Sequence, residues 1–326
     1  MISRRHLIRA TAASCAGLLV PAARAQSIAW PERPVRVIVP FPGGASDNLT
    51  RVLIEKLQAA LGQAFFAELR SGAGGNIGME AAKSAPADGY TAVSATIGTL
   101  SINQFLFANL PYDPVQDFAY VSRFWEGANA FIVSANHPAR SVQEFLNWAQ
   151  KQPKGVTFGS AGIGTSPHLS GELFRARTQL TAIHIPFRGA AQSMPALVGG
   201  DVDFAIDNIG SYTALIRAGR VRALAVATVD RWPTLPDVPT MTEAGVKDFV
   251  STSWGTLLVP KQTPGPIVEK FSAAIQSVCS EPAVKQRFLE MGARAVVSTP
   301  QEAFAFAESE RFKWKEVVRI SGVKIE

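Results

Sequence analysis

Apolar residues in this chain alternate between short β-rich runs and stretches with helical spacing. Leucines at four-residue intervals from Leu49 to Leu61 mark one face of a helix that begins at Asp47, and a shorter helix is expected after Gly78. The strands predicted in this first region are residues 35–40, 64–69 and 90–95. Strands that alternate with helices are typical of parallel sheets, so the pattern predicts the α/β class.

The middle of the chain repeats this alternation from about residue 131. Its first helix begins at a capping box, in which the Ser141 hydroxyl and the Glu144 carboxylate each accept from a backbone N–H group. The further elements predicted are strands at 156–158, 182–185, 202–206 and 221–228, and helices from 167, at 192–198 and at 211–218. We expect a second α/β unit here.

The last part of the chain resembles the first region in its pattern. An apolar strand at 254–259 precedes a helix from Pro264. Thr299 and Glu302 form a second capping box, which opens a last helix that ends near Gly322. We expect this capped helix to pack back on the first unit.

This order of elements predicts two lobes with a cleft between them. The chain would cross from one unit to the other near 120–130 and would return near 250. The predicted division is 26–125 plus 251–326 for lobe 1, and 126–250 for lobe 2.

The first 25 residues have the layout of an export signal. Arg4, Arg5 and Arg9 precede a short apolar stretch, and residues 23–25 fit the small-residue pattern of a cleavage site. The paired arginines resemble a twin-arginine signal, with the general secretory route as the alternative. We therefore expect residues 1–25 to be removed and the mature protein to be exported.

The charge and the cysteine count of the chain after this leader exclude several classes of partner and site. The leader holds four arginines and no acid, so the formal charge falls from +6 for the whole chain to +2 for residues 26–326. A near-neutral protein without a Lys/Arg block has no electrostatic footprint for nucleic acid or a membrane surface. Only Cys279 remains after cleavage, which excludes an intramolecular disulfide and a cysteine-based metal site.

Two glycine-rich turns, each between a strand and a helix, are the main candidates for function. The first includes Phe41, Gly43, Gly44, Ser46 and Asp47, and the second includes Ser160, Ala161, Gly164, Thr165 and His168. The first turn of a helix has N–H groups without partners and a partial positive charge, so it attracts an anion. Two such turns that face each other would hold a small carboxylate. Tight turns that only redirect the chain are the alternative.

Three charged residues near these turns have more than one interpretation. Asp47 would repel an anion, so we expect it to cap its helix or to accept from loop N–H groups. Arg188, which precedes Gly189, is either a surface residue or the cationic partner of a second ligand carboxylate. Asp207 ends a strand directed at the same cleft, where it either accepts from a ligand donor or caps the next helix.

The sequence holds no complete motif for a cofactor, a metal ion or a catalytic step. The glycines at 72–78 lack the spacing of a dinucleotide site, and the histidines lack the spacing of a zinc site. Ser160 lies in a segment one residue out of register with G-x-S-x-G. His168 stays open as a general base, a metal ligand or a cap of its own loop. We predict no cofactor, no metal and no catalytic residue, with a secreted hydrolase using Ser160 and His168 as the alternative.

Eight segments, in order over nearly the whole chain after the leader, resemble one known family. They are 34–44 (PVRVIVPFPGG), 72–78 (GAGGNIG), 88–91 (DGYT), 112–118 (YDPVQDF), 159–162 (GSAG), 165–169 (TSPHL), 184–189 (HIPFRG) and 235–240 (LPDVPT). On these segments the chain resembles the periplasmic substrate-binding proteins of the tripartite tricarboxylate transporters, also called the Bug family.

The resemblance implies a two-lobed Venus-flytrap fold, in which each lobe is a mainly parallel sheet flanked by helices. It implies that the two turns hold one ligand carboxylate, with Arg188, Gly189 and Asp207 at the variable end. It also implies a monomeric periplasmic receptor that delivers its ligand to transporter membrane subunits, with a sensor kinase as the alternative partner. Leu69 and Ile163 depart from the family pattern and make the expected lining less polar, which favours an aromatic or apolar carboxylate over citrate.

Overall fold

The computed structural model describes residues 29–321, so the predicted leader and the predicted helix end near Gly322 lie outside the described residues. The strands are β1 Val35–Val39, β2 Phe65–Leu69, β3 Thr91–Thr96, β4 Phe118–Ser134, β5 Val156–Ser160, β6 Ala182–Pro186, β7 Ala205–Asn208, β8 Val221–Val226, β9 Thr252–Pro260 and β10 Ala293–Ala295. The helices are α1 Ala45–Leu61, α2 Asn76–Lys83, α3 Asn103–Leu106, α4 Val142–Ala149, α5 Ser166–Thr178, α6 Ala190–Gly199, α7 Ile209–Arg217, α8 Gly265–Ser280, α9 Pro282–Glu290 and α10 Pro300–Ser321. A 3₁₀ turn, Ala73–Gly75, and a π-helical turn, Gly98–Ile102, complete these elements.

Lobe 1 is built on a mixed sheet with the strand order β10-β4-β9-β3-β1-β2. β1 pairs in parallel with β2 and β3, whereas β9 is antiparallel to both β3 and β4. Strands β1 to β4 therefore run in one direction, and β9 and β10 run in the other.

Lobe 2 contains β5 to β8 and the second half of β4. β5 pairs in parallel with β6 and, through a bridge from Phe158 to Phe204, with the segment that leads into β7. β7 and β8 both pair antiparallel to β4. In each lobe most strands thus share one direction, and the two-lobed α/β fold expected from the sequence is confirmed.

The first crossing between the lobes, expected near 120–130, is a continuous strand. β4 pairs with β9 as far as Ala128 opposite Thr252, and from Asn129 opposite Asn208 it pairs with β7. Most of its 17 residues are buried, because the strand lies inside both lobes in turn. The change of partner lies within a few residues of the predicted lobe boundaries at 125/126 and 250/251, which stay a prediction.

A buried group of polar side chains joins the two crossings. Asn129 Nδ2 donates to Ser170 Oγ and Ser251 Oγ, each at 3.1 Å, and the two hydroxyls are 2.6 Å apart. Asn129 is on β4, Ser170 is on α5, and Ser251 precedes β9. Buried side-chain networks of this kind specify one arrangement of the elements they connect.

Each lobe has its own apolar core. Five phenylalanines at the centre of lobe 2 contact one another edge to face or stacked: Phe131, Phe145, Phe158, Phe174 and Phe204. The expected return of the last helix to lobe 1 is confirmed, because α10 buries its inner face in that core with Ala303, Ala307 and Trp314. Val317 of the same helix also contacts the lobe 2 core.

Both predicted capping boxes begin helices. At α10 the exchange is complete, since Glu302 N–H donates to Thr299 Oγ1 and Thr299 N–H donates to Glu302 Oε2. At α4 the Ser141 hydroxyl accepts from Glu144 N–H, while the Glu144 carboxylate accepts from Arg140 N–H, one residue before the expected donor. Among residues 29–321, no helix is both long and apolar enough to cross a membrane.

Candidate ligand site between the lobes

The first glycine-rich turn carries the chain from β1 into α1. Helix α1 begins after Gly44, which has no side chain to cap the helix. Asp47 Oδ2 accepts from Gly43 N–H at 2.9 Å, and Asp47 Oδ1 accepts from Arg51 Nε at 2.7 Å. Asp47 thus holds the loop, as expected, and Arg51 balances its charge. Ser46 Oγ is buried and has no hydrogen-bond partner.

The second glycine-rich turn carries the chain from β5 into α5, and it is largely satisfied by its own side chains. Gly162 N–H donates to Ser160 Oγ, and Gly164 N–H donates to His168 Nδ1. Thr165 caps α5 by accepting from His168 N–H, and its own hydroxyl donates to Gly162 O. Pro167 has no N–H group. Fewer backbone donors therefore remain here than in the first turn.

The two turns meet at a small cavity of about 50 Å³ between the lobes. Its lining includes residues from both turns, from β7 and from other strands and helices: Phe41, Gly44, Ala45, Ser46, Thr96, Ile97, Trp125, Ala161, Thr165, Ser166, Pro167, Ala190, Asp207, Asn208, Ser211 and Ser253. This volume holds a few water molecules or a carboxylate-sized group. Among residues 29–321, no Lys, Arg or His lines this cavity, so an anion here would rely on N–H groups and hydroxyls.

Contacts between the lobes close the cavity on two sides. Ala45 N–H of α1 donates to Ser211 Oγ of α7 at 3.0 Å. The Ser253 hydroxyl of β9 donates to Asn208 Oδ1 of β7. The N–H groups of Ser46 and Asp47 follow Ala45 in the first turn of α1, where helix geometry gives them no acceptor within the helix.

Asp207 brings a carboxylate into the same cavity. Its Oδ1 accepts from the backbone N–H of Asn208 at 2.6 Å and from Asn208 Nδ2 at 3.1 Å, whereas its Oδ2 is buried without a partner of good geometry. Burial raises the pKa of Asp207 from 3.8 to about 6, although the Asn208 donors and the nearby Tyr212 hydroxyl oppose this change. Its interpretation as a cap of the next helix is wrong, because Asn208 is the N-cap position of α7 and no side chain caps that helix.

A second cavity of about 200 Å³ adjoins the first and shares Phe41 and Ala161 with it. It is lined by the 71–75 turn, by 161–163, by 186–189 and by Phe107. Arg188 and Gly189 belong to this cavity and not to the first. Ile163 also lines it, whereas Leu69 is 49% exposed at the end of β2 and lines neither cavity, so its expected contribution to the lining is wrong.

Five of the predicted site residues support the cavity from outside its lining. Gly43 has a φ of 71°, and a Cβ there would lie 2.8 Å from Ala191 Cβ, so it allows the lobes to approach. Asp47, Ser160 and His168 are buried and hold the turns by side-chain hydrogen bonds. Gly164 has a φ of 81° and lies against Asn103 and Phe107 of lobe 1.

His168, which is buried, and His184, which is partly buried, form a pair behind the second turn. The rings of His168 and His184 stack with centroids 4.1 Å apart, and His184 Nε2 lies 2.7 Å from Ser160 Oγ. Burial lowers the pKa of His168 to about 4, and burial with the neighbouring His168 lowers the pKa of His184 to about 3. The pair proposed for a hydrolase, Ser160 with His168, is not formed, because His184 is the imidazole next to Ser160.

Several lining residues were not predicted from the sequence. Trp125, Ser211 and Ser253 reach the cavity from β4, α7 and β9, and Thr96 reaches it from β3. None of them lies in a glycine-rich turn or a known motif. Outside the two turns, the local sequence pointed to the cavity only through Asp207 and Asn208, which stand at the end of a predicted strand.

The chain matches the family model described as tripartite tricarboxylate transporter family receptor over residues 49–323. This match covers most of the chain, from within α1 to the end of α10.

Solved structures with the same fold support this match. Rpa4515 of R. palustris, solved with adipate, is 33% identical with a TM-score of 0.89, over 90% of this chain and 99% of that one. The periplasmic binding protein BugD is 31% identical with a TM-score of 0.87, over 91% and 100%. MatC of Rhodopseudomonas palustris, solved with malate, is 30% identical with a TM-score of 0.84, over 89% and 100%. Proteins of this family are periplasmic solute-binding receptors.

Proposed function

This chain belongs to the family of tripartite tricarboxylate transporter receptors, and from that premise we propose that it captures a small organic carboxylate between its lobes. We propose further that it does so in the periplasm and then delivers the ligand to the membrane subunits of such a transporter. The predicted export signal, residues 1–25, supports the location.

One observation carries this proposal: the N-termini of α1 and α5, from opposite lobes, line a single cavity without a basic side chain. Helix N-termini attract anions through their N–H groups and their partial positive charge. The solutes named with two of the similar structures, adipate and malate, are both carboxylates.

The two turns have different roles in this proposal. We assign the main contact with the ligand carboxylate to the first turn, through the N–H groups at the start of α1 and the Ser46 hydroxyl. The second turn contributes Ala161, Thr165 and Ser166 as the opposite wall. Each hydrogen bond to a charged group contributes about 1.5–3 kcal/mol. A few of them therefore account for a binding free energy of about −8 kcal/mol, which corresponds to a micromolar dissociation constant.

The second cavity gives the ligand room beyond its carboxylate. Together the two cavities follow one path past Phe41 and Ala161 towards Arg188. We propose that the first cavity holds the carboxylate and that the second holds the variable end of the ligand. Its aromatic wall, Phe41, Phe107 and Phe187, suits an apolar chain or ring, and Arg188 suits a second carboxylate.

We also propose that the protein binds without catalysis and needs no cofactor. Ser160 is fully buried, and Ser160 and His168 line neither cavity, so a ligand in the cavities would not reach these side chains. A hydrolase based on Ser160 requires Ser160→Ala to abolish turnover of an ester panel. Our proposal expects no turnover in either protein and ligand affinity within about threefold of wild type.

A thermal-shift screen of the mature chain tests the function. The panel contains adipate, malate and benzoate, with adipamide and benzamide as uncharged controls of matched shape. We expect at least one carboxylate to raise the melting temperature and its amide to leave it unchanged. A shift by another ligand class, with none from any carboxylate, would contradict the proposal.

Capture of membrane partners tests the delivery step. Ligand-loaded protein, which we expect to be monomeric by light scattering, is passed over solubilised membranes of the source cells. Recovery of a transporter subunit supports delivery, whereas recovery of a sensor kinase instead would assign the receptor to signalling.

A further inference from the structure

The carboxylate of Asp207 has an unusual position in a cavity that fits an anion. Asp207 is 1% exposed and lines the first cavity together with the start of α1. Its Oδ1 accepts from two N–H donors of Asn208, and its Oδ2 has no hydrogen bond of good geometry, although the Tyr212 hydroxyl lies near the carboxyl group. One oxygen of a lining residue therefore lacks a well-formed hydrogen bond, and it belongs to a group of the same charge as the ligand.

Two ionised carboxylates do not share a buried site stably, because each disfavours the charged form of the other. A cation between them would remove the conflict, but the lining of this cavity contains no Lys, Arg or His. A proton would remove it equally well, since a carboxyl group with one proton donates a strong hydrogen bond to a carboxylate.

We propose that Asp207 meets the bound carboxylate as a neutral acid, so that capture of one ligand takes up one proton from solvent. This inference rests on the proposed function and deepens it. The proton is on Oδ2, which donates to a ligand oxygen, while Oδ1 keeps both hydrogen bonds from Asn208. No bond is broken, and the added proton balances the charge that the ligand brings.

Asp207 is itself the group that we expect to take up the proton, and not one of its neighbours. The titratable groups on the elements packed against β7 are Tyr120 and the Arg123–Glu126 ion pair on β4, His168, the Glu172–Arg175 ion pair and Arg177 on α5, and Tyr212 and Arg217 on α7. Among these only Tyr212 acts on the pKa of Asp207, and burial keeps the Tyr212 hydroxyl protonated. The pKa of Asp207 is already raised to about 6 by burial, so the ligand raises it from a favourable starting value.

The competing explanation is an ionised Asp207 that accepts from a hydroxyl or ammonium group of the ligand. That arrangement requires a donor close to the ligand carboxylate. Adipate, the solute named with Rpa4515, has no such donor, whereas malate has a hydroxyl. The two explanations therefore differ in proton uptake and in the ligands that they favour.

Isothermal titration calorimetry of the full mature protein decides between them. Adipate, malate and benzoate are titrated at pH 7.5 in phosphate and in Tris, whose ionisation enthalpies differ widely, so the difference in observed enthalpy gives the number of protons taken up. We expect nearly one proton per ligand at pH 7.5 and much less at pH 5. Affinity should fall about tenfold between pH 7 and pH 8, because one proton is linked to binding.

A pair of variants assigns the proton to its site. Asp207→Asn keeps the shape and a donor but cannot titrate, so we expect proton uptake near zero and a dissociation constant that is constant between pH 7 and pH 8. Asp201→Asn removes an exposed acid of the same lobe, and we expect it to keep the wild-type uptake. Circular dichroism checks that both variants fold.

Carboxylate binding by the wild-type protein without proton uptake at pH 7.5 would overturn this inference and leave the proposed function standing. So would a strong preference for malate over adipate that Asp207→Asn abolishes, because that preference requires an ionised acceptor. Absence of carboxylate binding at every pH would overturn the function and this inference together.

Discussion

The two helix starts that line the cavity are built in different ways. At α1 the Asp47 side chain holds the loop and Ser211 accepts from Ala45 N–H, which leaves the next N–H groups of the helix and the Ser46 hydroxyl for another partner. At α5 the loop closes on itself through Ser160, Thr165 and His168. In our proposal the first turn is therefore the anion-binding face and the second is a rigid wall, although their glycine-rich sequences look alike.

The largest expected effect comes from a side chain added to the rigid wall. Gly164→Ala places a Cβ at a φ of 81° against Asn103 Oδ1 and 3.5 Å from Phe107, and we expect a loss of about 3 kcal/mol or more in the free energy of unfolding. Urea unfolding measures the loss.

Two controls separate strain from crowding in that experiment. Gly200→Ala has a similar φ of 85° but nothing within 4 Å, so it should cost only about 1–2 kcal/mol. Gly44→Ala, in the first turn, has an ordinary φ of −105° and a tight contact of 3.1 Å with Ala190 Cβ, so it should cost about 1 kcal/mol, well below Gly164→Ala. Equal losses at Gly164 and Gly44 would contradict the contrast between the turns.

Acid should weaken the second turn through His168. Its pKa is about 4 in the folded protein and 6.5 when unfolded, so the unfolded chain binds more protons between these values. The contribution of neutral His168 to the free energy of unfolding is complete above pH 6.5 and is lost as the pH falls towards 4. For a pKa change of this size the loss is about 3 kcal/mol. His168→Asn keeps an acceptor for Gly164 N–H and should reduce the loss between pH 7 and pH 4.5 by nearly this amount. Parallel pH profiles of wild type and variant in urea unfolding would refute the assignment.

The hydrogen bond from Gly43 N–H to Asp47 should stabilise the first turn more than the ion pair between Asp47 and Arg51 does. Asp47→Ala leaves Gly43 N–H without its acceptor and should cost about 2 kcal/mol of unfolding free energy. Arg51→Ala removes a half-exposed partner and should cost less than about 1 kcal/mol. If the arginine variant were the more damaging in thermal or urea unfolding, the charge pair and not the loop contact would hold this turn.

The Ser46 hydroxyl should matter little for the stability of the protein but clearly for the binding of the carboxylate. Ser46→Ala removes a hydroxyl without a partner, so we expect stability within about 0.5 kcal/mol of wild type and a roughly tenfold weaker dissociation constant for the carboxylate. Ser84→Ala, an exposed serine of the same lobe, is the matched control and should change neither. If Ser46→Ala bound the carboxylate with unchanged affinity, the Ser46 hydroxyl would not be a contact of the ligand.

Much of the fold follows from local sequence signals. The strand starts at Val35 and Val156 and the capped start of α10 lie where periodicity and capping residues predict them. The short elements α9 and β10 were missed, and so was the length of β4. Arg123 and Glu126 interrupt the apolar run of β4, where they form an ion pair and Arg123 also lies over the Phe306 ring. Tertiary packing, not local preference, specifies these elements.

The site was predictable only in part, for a related reason. Both turns could be found from glycines that follow strands, and Asp207 from its place at a strand end. The sequence did not reveal that Ser160 and His168 accept from N–H groups of their own turn, or that His184 reaches Ser160 from 24 residues away. Trp125, Ser211 and Ser253 also come to the cavity from distant elements, and only the assembled lobes bring them together.

The most direct test of the central claim is a crystal structure of the protein purified without refolding and soaked with the carboxylate that gives the largest thermal shift. We expect density for a carboxylate in the first cavity, within hydrogen-bond distance of N–H groups at the start of α1 and in contact with the second turn. A ligand bound outside this cavity, or held there by the second turn alone, would contradict the account.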